Sequence, residues 1–215
     1  MRSKFDEQLA LMKNELIQMG ALCEEAISLT AKALSDGEKS LAAKAISLDA
    51  EIDQMERDIE TLCLKLLLQQ QPVARDLRQI SAALKIITDM ERIGDQAADI
   101  AEIILAMLSE GYLPEDVGNI REMAAEAIKM VTESVDSYVR QDTAMARRVI
   151  DHDDVVDGYF IRVREVLIGK IAANPVEGEH ALDLLMIDKY LERIGDHATN
   201  IAEWVIFSVT GNKKG

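Results

Sequence analysis

The 215-residue chain has little of what breaks or staples a fold: 3 prolines, 11 glycines, 2 cysteines, and aromatics at only 4%. Scarce proline and glycine leave few places for tight turns, and scarce aromatics leave the core to aliphatic side chains. No apolar run approaches the roughly 20 residues of a membrane-spanning helix. The start, Met1-Arg2-Ser3-Lys4-Phe5-Asp6-Glu7, soon turns acidic and lacks the apolar stretch of a secretory signal. Cys23 and Cys63 each sit in an apolar helical pattern, so reduced core thiols and a cytoplasmic chain are expected. A basic excess is also missing. With 39 acidic and 24 basic residues the net charge is −15, which argues against binding nucleic acid or an anionic bilayer and favours cations or a basic protein partner. No Ser/His/Asp nucleophile arrangement, phosphate-binding glycine loop or Cys-x-x-Cys occurs, which weighs against an enzyme.

What is abundant is Ala, Leu, Ile, Met, Glu and Asp, the composition of helices. Apolar residues recur at helical spacing in six segments. They run from Lys4 to Leu34, Lys39 to Gln70, Pro72 to Ser109, Asn119 to Val139, Thr143 to Ala172, and from beyond Pro175 to Thr210. Pro72 fits the first position of the third helix, where its missing N–H costs nothing. Short links between long helices favour antiparallel neighbours. The expected fold is all-α, a tandem repeat of two up-down three-helix bundles, covering 1–111 and 119–211 and placed end to end or side by side.

The repeat is plainest in one stretch. Glu91-Arg92-Ile93-Gly94-Asp95-Gln96-Ala97-Ala98-Asp99-Ile100-Ala101-Glu102 returns 101 residues on, with changes only at Gln96/His197, Ala98/Thr199 and Asp99/Asn200. At ~100° per residue, Glu91, Asp95, Asp99 and Glu102 fall within about 80° of one another, and Ile93, Ala97, Ile100 and Ile104 lie opposite. The second copy places Glu192, Asp196, Asn200 and Glu203 in the same row, and Asp188 extends it by one turn where the first copy has Ile87. A second matched acidic pair lies on the middle helices, Asp49/Asp53 and Asp153/Asp157, 104 residues apart. Antiparallel packing of second and third helices would set these acids along one seam in each bundle, with Gly94 or Gly195 permitting close approach.

Carboxylate-rich seams suit hard cations such as Mg²⁺, Ca²⁺, Mn²⁺ or iron. Zinc is less favoured without a Cys/His cluster. The di-iron pattern Glu-x-x-His fits only Glu177 to His180, off the acid row. His197 and His152 lie near acids but read first as surface or capping residues. A solvated acid face would cost only about 2–4 kcal/mol in like-charge repulsion, at ~0.2–0.5 per pair, so repulsion alone marks no site. Duplication of both acidic segments is what favours one. A carboxylate-bridged metal-dependent phosphohydrolase and a metal-free helical scaffold stay open as alternatives.

At the two Glu-Arg-Ile-Gly-Asp motifs the chain resembles the PhoU family, bacterial phosphate-transport accessory and regulatory proteins. The resemblance spans essentially the whole chain and is most specific at Leu191–Glu203. It implies two three-helix bundles with pseudo-twofold symmetry, and divalent or iron-type metal ions (Fe, Mn, Mg or Zn) on the acidic motifs. The ligands it implies are Asp49, Asp53, Glu91, Asp95 and Asp99 in the first bundle, and Asp153, Asp157, Glu192, Asp196 and Asn200 in the second. Asn200 in place of an acid lowers the charge of the second site. The resemblance also implies a non-enzymatic adaptor, often a homodimer. It would hold phosphate uptake and the starvation response off through the phosphate ABC transporter's ATPase and the phosphate-sensing histidine kinase, at the inner membrane face.

Overall fold

The computed structural model describes residues 2–69, 72–113 and 118–213. Among them are six α-helices and one 3-10 turn, with no strand. The helices are α1 (Arg2–Asp36), α2 (Lys39–Gln69), α3 (Ala74–Ser109), α4 (Gly118–Arg140), α5 (Thr143–Ala173) and α6 (Gly178–Thr210). The six segments expected from periodicity are all present, with ends within a few residues; Gln70 and Pro114–Val117 of the link lie outside the described residues.

Helix ends follow local chemistry. Gly37 takes a φ of +70°, which an L side chain resists, and ends α1 with an N–H donated to the Ala33 carbonyl at 3.0 Å. Asp142 caps α5, accepting from the Ala144 and Met145 N–H groups at 2.9 and 3.0 Å. One expectation is corrected. Pro72 is not the first residue of α3; Val73 is the N-cap, with extended backbone (φ −73°, ψ 164°), and the helix begins at Ala74. The cap needs extended backbone, which a β-branched residue adopts readily. Proline does open a helical turn at Pro175, behind the Asn174 cap.

Helices α1–α3 pack on one another, as do α4–α6. The two bundles lie side by side: α3 runs along α6 and α1 along α4, while α2 and α5 touch only their own bundles. One apolar core runs through both halves. Ile93, Ala97, Ile100 and Ile104 of α3 and Ile194, Ala198, Ile201 and Val205 of α6 are all buried in it, each large aliphatic contributing roughly 1.5–3 kcal/mol. Both cysteines are free and buried, as expected. Cys23 faces the Met90 carbonyl and Cys63 the Met12 sulfur, and burial pushes both thiols up to about 12. The outcome for the candidate site is that α3 and α6 stand in the middle. Each carries its acid row beside the outer helix of its own bundle.

Candidate functional site

The seam between α2 and α3 is closed by a missing side chain. A Cβ on Gly94 would stand 3.0 and 3.1 Å from the Ile52 Cδ1 and Cγ2 atoms and 3.4 Å from Asp49 Oδ1. The pseudo-equivalent Gly195 lies against Asp153 Oδ1 and Val156 Cγ1, 3.3 Å from where its Cβ would be. Both glycines therefore let a carboxylate from the middle helix settle on the backbone of the third. This is the cross-seam approach that the two sequence motifs together require.

The first seam gathers Asp49 and Asp53 from α2 and Glu91, Asp95 and Asp99 from α3. Asp49 has its pKa raised, by burial first and then by Asp95, Asp53, Asp99 and Glu102. Glu91 is raised in the same way, by burial and then Asp95, with Arg92 opposing. Asp49 Oδ1 is buried with no hydrogen-bond partner. Around the rim, Arg92 reaches Glu91 at 3.3 Å and Asp95 at 2.7 Å, and Arg57 reaches Asp53 at 3.5 Å. Glu56 of α2 belongs here too, raised by burial and by Glu60 and Asp53; it has no matched acid in the second copy, which hid it from a search for repeats.

The second seam gathers Asp153 and Asp157 from α5 and Glu192 and Asp196 from α6. Asp153 is pushed up to about 6 by burial and by Asp157 and Asp196. Burial and then Glu192 raise both Asp157 and Asp196. Lys189 pairs with Glu192 and lies over the Phe160 ring. Asp188 continues the row inward, wholly buried (0% exposed).

Asn200 also reaches across the bundle interface. Its amide donates to Asp89 Oδ1 at 3.3 Å, and His197 Nδ1 meets the same oxygen at 2.9 Å, both from α6 to α3 across the bundle interface. The repeat-related pair is Asp99 with Tyr190, whose phenol is raised by burial and by that carboxylate. So Asp99 stands at a junction, beside Asp49 of its own bundle and Tyr190 of the other. His152 meets Glu126 of α4 at 2.6 Å. His180 stacks on Tyr112 with ring centroids 3.8 Å apart, and Glu177 accepts from Asn174 at 2.9 Å. His197 also acts on Asp196, its neighbour in the chain, partly offsetting the upward push on that carboxyl.

The donor set is carboxylate oxygen throughout, partly shielded, mutually repelling, and in Asp49 short of a partner. That fits a hard cation. In this arrangement, with Arg92 and Lys189 holding the outer oxygens, no three His, Cys, Asp or Glu side chains among the described residues converge into a closed ligand group.

The PhoU domain family matches this chain twice, over residues 16–104 and 120–205. The chain belongs to the PhoU family. It is 35% identical over 208 residues to the phosphate-specific transport system accessory protein PhoU homolog of Pseudomonas aeruginosa, covering 97% of this chain and 86% of that one. Its identity to the protein of the same name from Clostridium acetobutylicum is 35% over 213 residues, covering 99% and 97%. The crystal structure of PhoU from Pseudomonas aeruginosa superposes with a TM-score of 0.91 at 35% identity, covering 97% of this chain and 100% of that one. The phosphate transport system regulatory protein PhoU from Streptococcus pneumoniae superposes at 0.88 with 26% identity, covering 98% and 99%. Those names describe accessory and regulatory proteins of phosphate transport. No helix among the described residues is long and apolar enough to cross a membrane.

Proposed function

We propose that this PhoU-family chain is a cytoplasmic regulatory adaptor that holds phosphate uptake and the phosphate-starvation response off when phosphate is plentiful. Its partners on this reading are the phosphate ABC transporter's ATPase and the phosphate-sensing histidine kinase, reached at the inner membrane face, with the adaptor itself a homodimer. Full-length similarity to phosphate-transport accessory proteins supports the role. The observation that carries the chemistry is the duplicated carboxylate seam closed over Gly94 and Gly195.

On this reading each seam holds a hard divalent or iron-type cation. Asp49, Asp53, Glu91, Asp95 and Asp99 serve the first, and Asp153, Asp157, Glu192 and Asp196 the second. Asn200, whose amide NH2 also donates to Asp89, joins the second through its carbonyl oxygen. A cation there supplies positive charge to a −15 surface and a bridge for acidic or phosphorylated partners. The chain's own residues do the rest. The glycines bring the helices close, partial burial strips water from Asp49, Glu91, Asp153 and Glu192, and Arg92 and Lys189 shield the rows when no ion is bound.

The role is tested in a strain lacking its own copy of the gene, carrying a starvation-response reporter. Restored repression by the parent chain, lost with Asp95→Asn plus Asp196→Asn at equal protein level, supports the reading. Full repression by the double variant removes the acid rows from the mechanism. Failure of the parent to capture either partner removes the adaptor role.

A further inference from the structure

We propose that Asp188 is an additional metal ligand in this chain, a deep carboxylate that makes the second acid row a cation site of a different kind from the first. The inference rests on the reading of the rows as cation sites and deepens it.

Asp188 is 0% exposed, yet neither carboxyl oxygen has a hydrogen-bond partner. Buried polar groups are nearly always paired, so one with both oxygens idle calls for an explanation. Packing supplies none. The repeat-related residue is Ile87, also buried at 2%, so an aliphatic side chain serves the same place in the other bundle. Position does supply one. Asp188 lies one helical turn before Glu192 and two before Asp196, so its side chain leaves α6 on the face that carries the acid row. Glu192 is the charged group acting on it, and Lys189 already pairs with Glu192. The row therefore ends in one buried carboxylate beside Glu192 rather than in solvent. The first row has no such end, because Ile87 stops it.

An ion reaching Asp188 must shed water, since that carboxylate is closed to solvent. Magnesium dehydrates reluctantly and demands near-ideal octahedral geometry, whereas larger, more adaptable divalent ions do not. The deep carboxylate thus selects Mn²⁺ over Mg²⁺ at the second row, and the first row lacks that preference.

The test is Mn²⁺ binding to the full chain, followed by loss of the free-ion paramagnetic resonance signal, with Mg²⁺ as competitor. Asp95→Asn, which weakens the first row, is the background. Asp188→Ile, which installs the first copy's own residue, and Asp188→Asn, which keeps shape and one oxygen, are the probes. Expected is a loss of at least about tenfold in Mn²⁺ affinity for Asp188→Ile, a smaller loss for Asp188→Asn, and a collapse of Mn²⁺/Mg²⁺ selectivity in both. Unchanged affinity and selectivity in Asp188→Ile, with the parent binding Mn²⁺, overturns the assignment of Asp188 alone. No Mn²⁺ binding by the parent overturns both this inference and the cation reading beneath it. Asp188→Ile is expected to raise the melting temperature without metal, so a lost ion is separable from a lost fold.

Discussion

Replacing Gly94 by alanine tests how tightly the first acid seam is closed. Inside an exposed helix the change is favourable by about 0.5–1 kcal/mol, because glycine loses more backbone freedom on folding. Here the added methyl would meet Ile52 carbons at 3.0 and 3.1 Å. Ile52 is fully buried in the core. Forcing an extra carbon into a packed contact costs about 1–3 kcal/mol. The difference is a net loss of about 0.5–2 kcal/mol. Gly169 on α5 is the internal control, since a Cβ there meets nothing within 4 Å; Gly169→Ala should gain up to about 1 kcal/mol. Urea unfolding of parent and both variants in chelator, compared by midpoint at constant slope, reads the two signs. Gly94→Ala as stable as the parent, or stabilised like Gly169→Ala, would refute the close approach on which the seam depends.

Other outcomes follow from the same packing. Asp188 is pushed up to about 8 by burial, far above an unfolded aspartate at about 3.9. The folded state therefore holds its proton more tightly. Without metal, the contribution of Asp188 to stability should be full below about pH 4 and be lost as pH rises through about 8, several kcal/mol at about 1.4 per tenfold in proton affinity. Asp153, pushed up to about 6, adds to the same slope, and Asp188→Leu should flatten it in thermal melts taken across that range. Asp89→Ala removes the acceptor for His197 at 2.9 Å and Asn200 at 3.3 Å. It should cost about 1–3 kcal/mol in thermal unfolding, and Asp89→Asn, which keeps an acceptor, less. A loss no larger than at an exposed acid would mean that the bundle interface does not rely on this contact.

Much of this molecule is written in its periodicity. The apolar positions Ile93, Ala97, Ile100 and Ile104 and their repeats fixed which face of α3 and α6 is buried, and the scarcity of Gly and Pro placed the turns. The pairing of Asp49 with Asp95, and of Asp153 with Asp196, followed from antiparallel neighbours plus a glycine between acids. Docking of one bundle on the other was not legible. Spacing within a helix says nothing of which helices of different repeats meet, so the contact of Asp89 with His197 and Asn200 was hidden. Asp188 was visible as an extension of the row, yet its burial was not, because helix rotation about its axis is set by packing against α4 and α5. Pro72 marked the α2–α3 turn correctly but not its register, since the extended Val73 that follows takes the cap.

The account stands most directly on whether the acid seams hold a cation. Elemental analysis of the untagged protein, purified without added metal and again after challenge with Mn²⁺, Fe²⁺ and Mg²⁺, beside Asp95→Asn plus Asp196→Asn, decides it. Stoichiometric metal in the parent that is lost in the folded double variant is the predicted result. Metal-free parent after every challenge, or equal metal in the variant, would contradict the account and leave the two rows as a charged docking face.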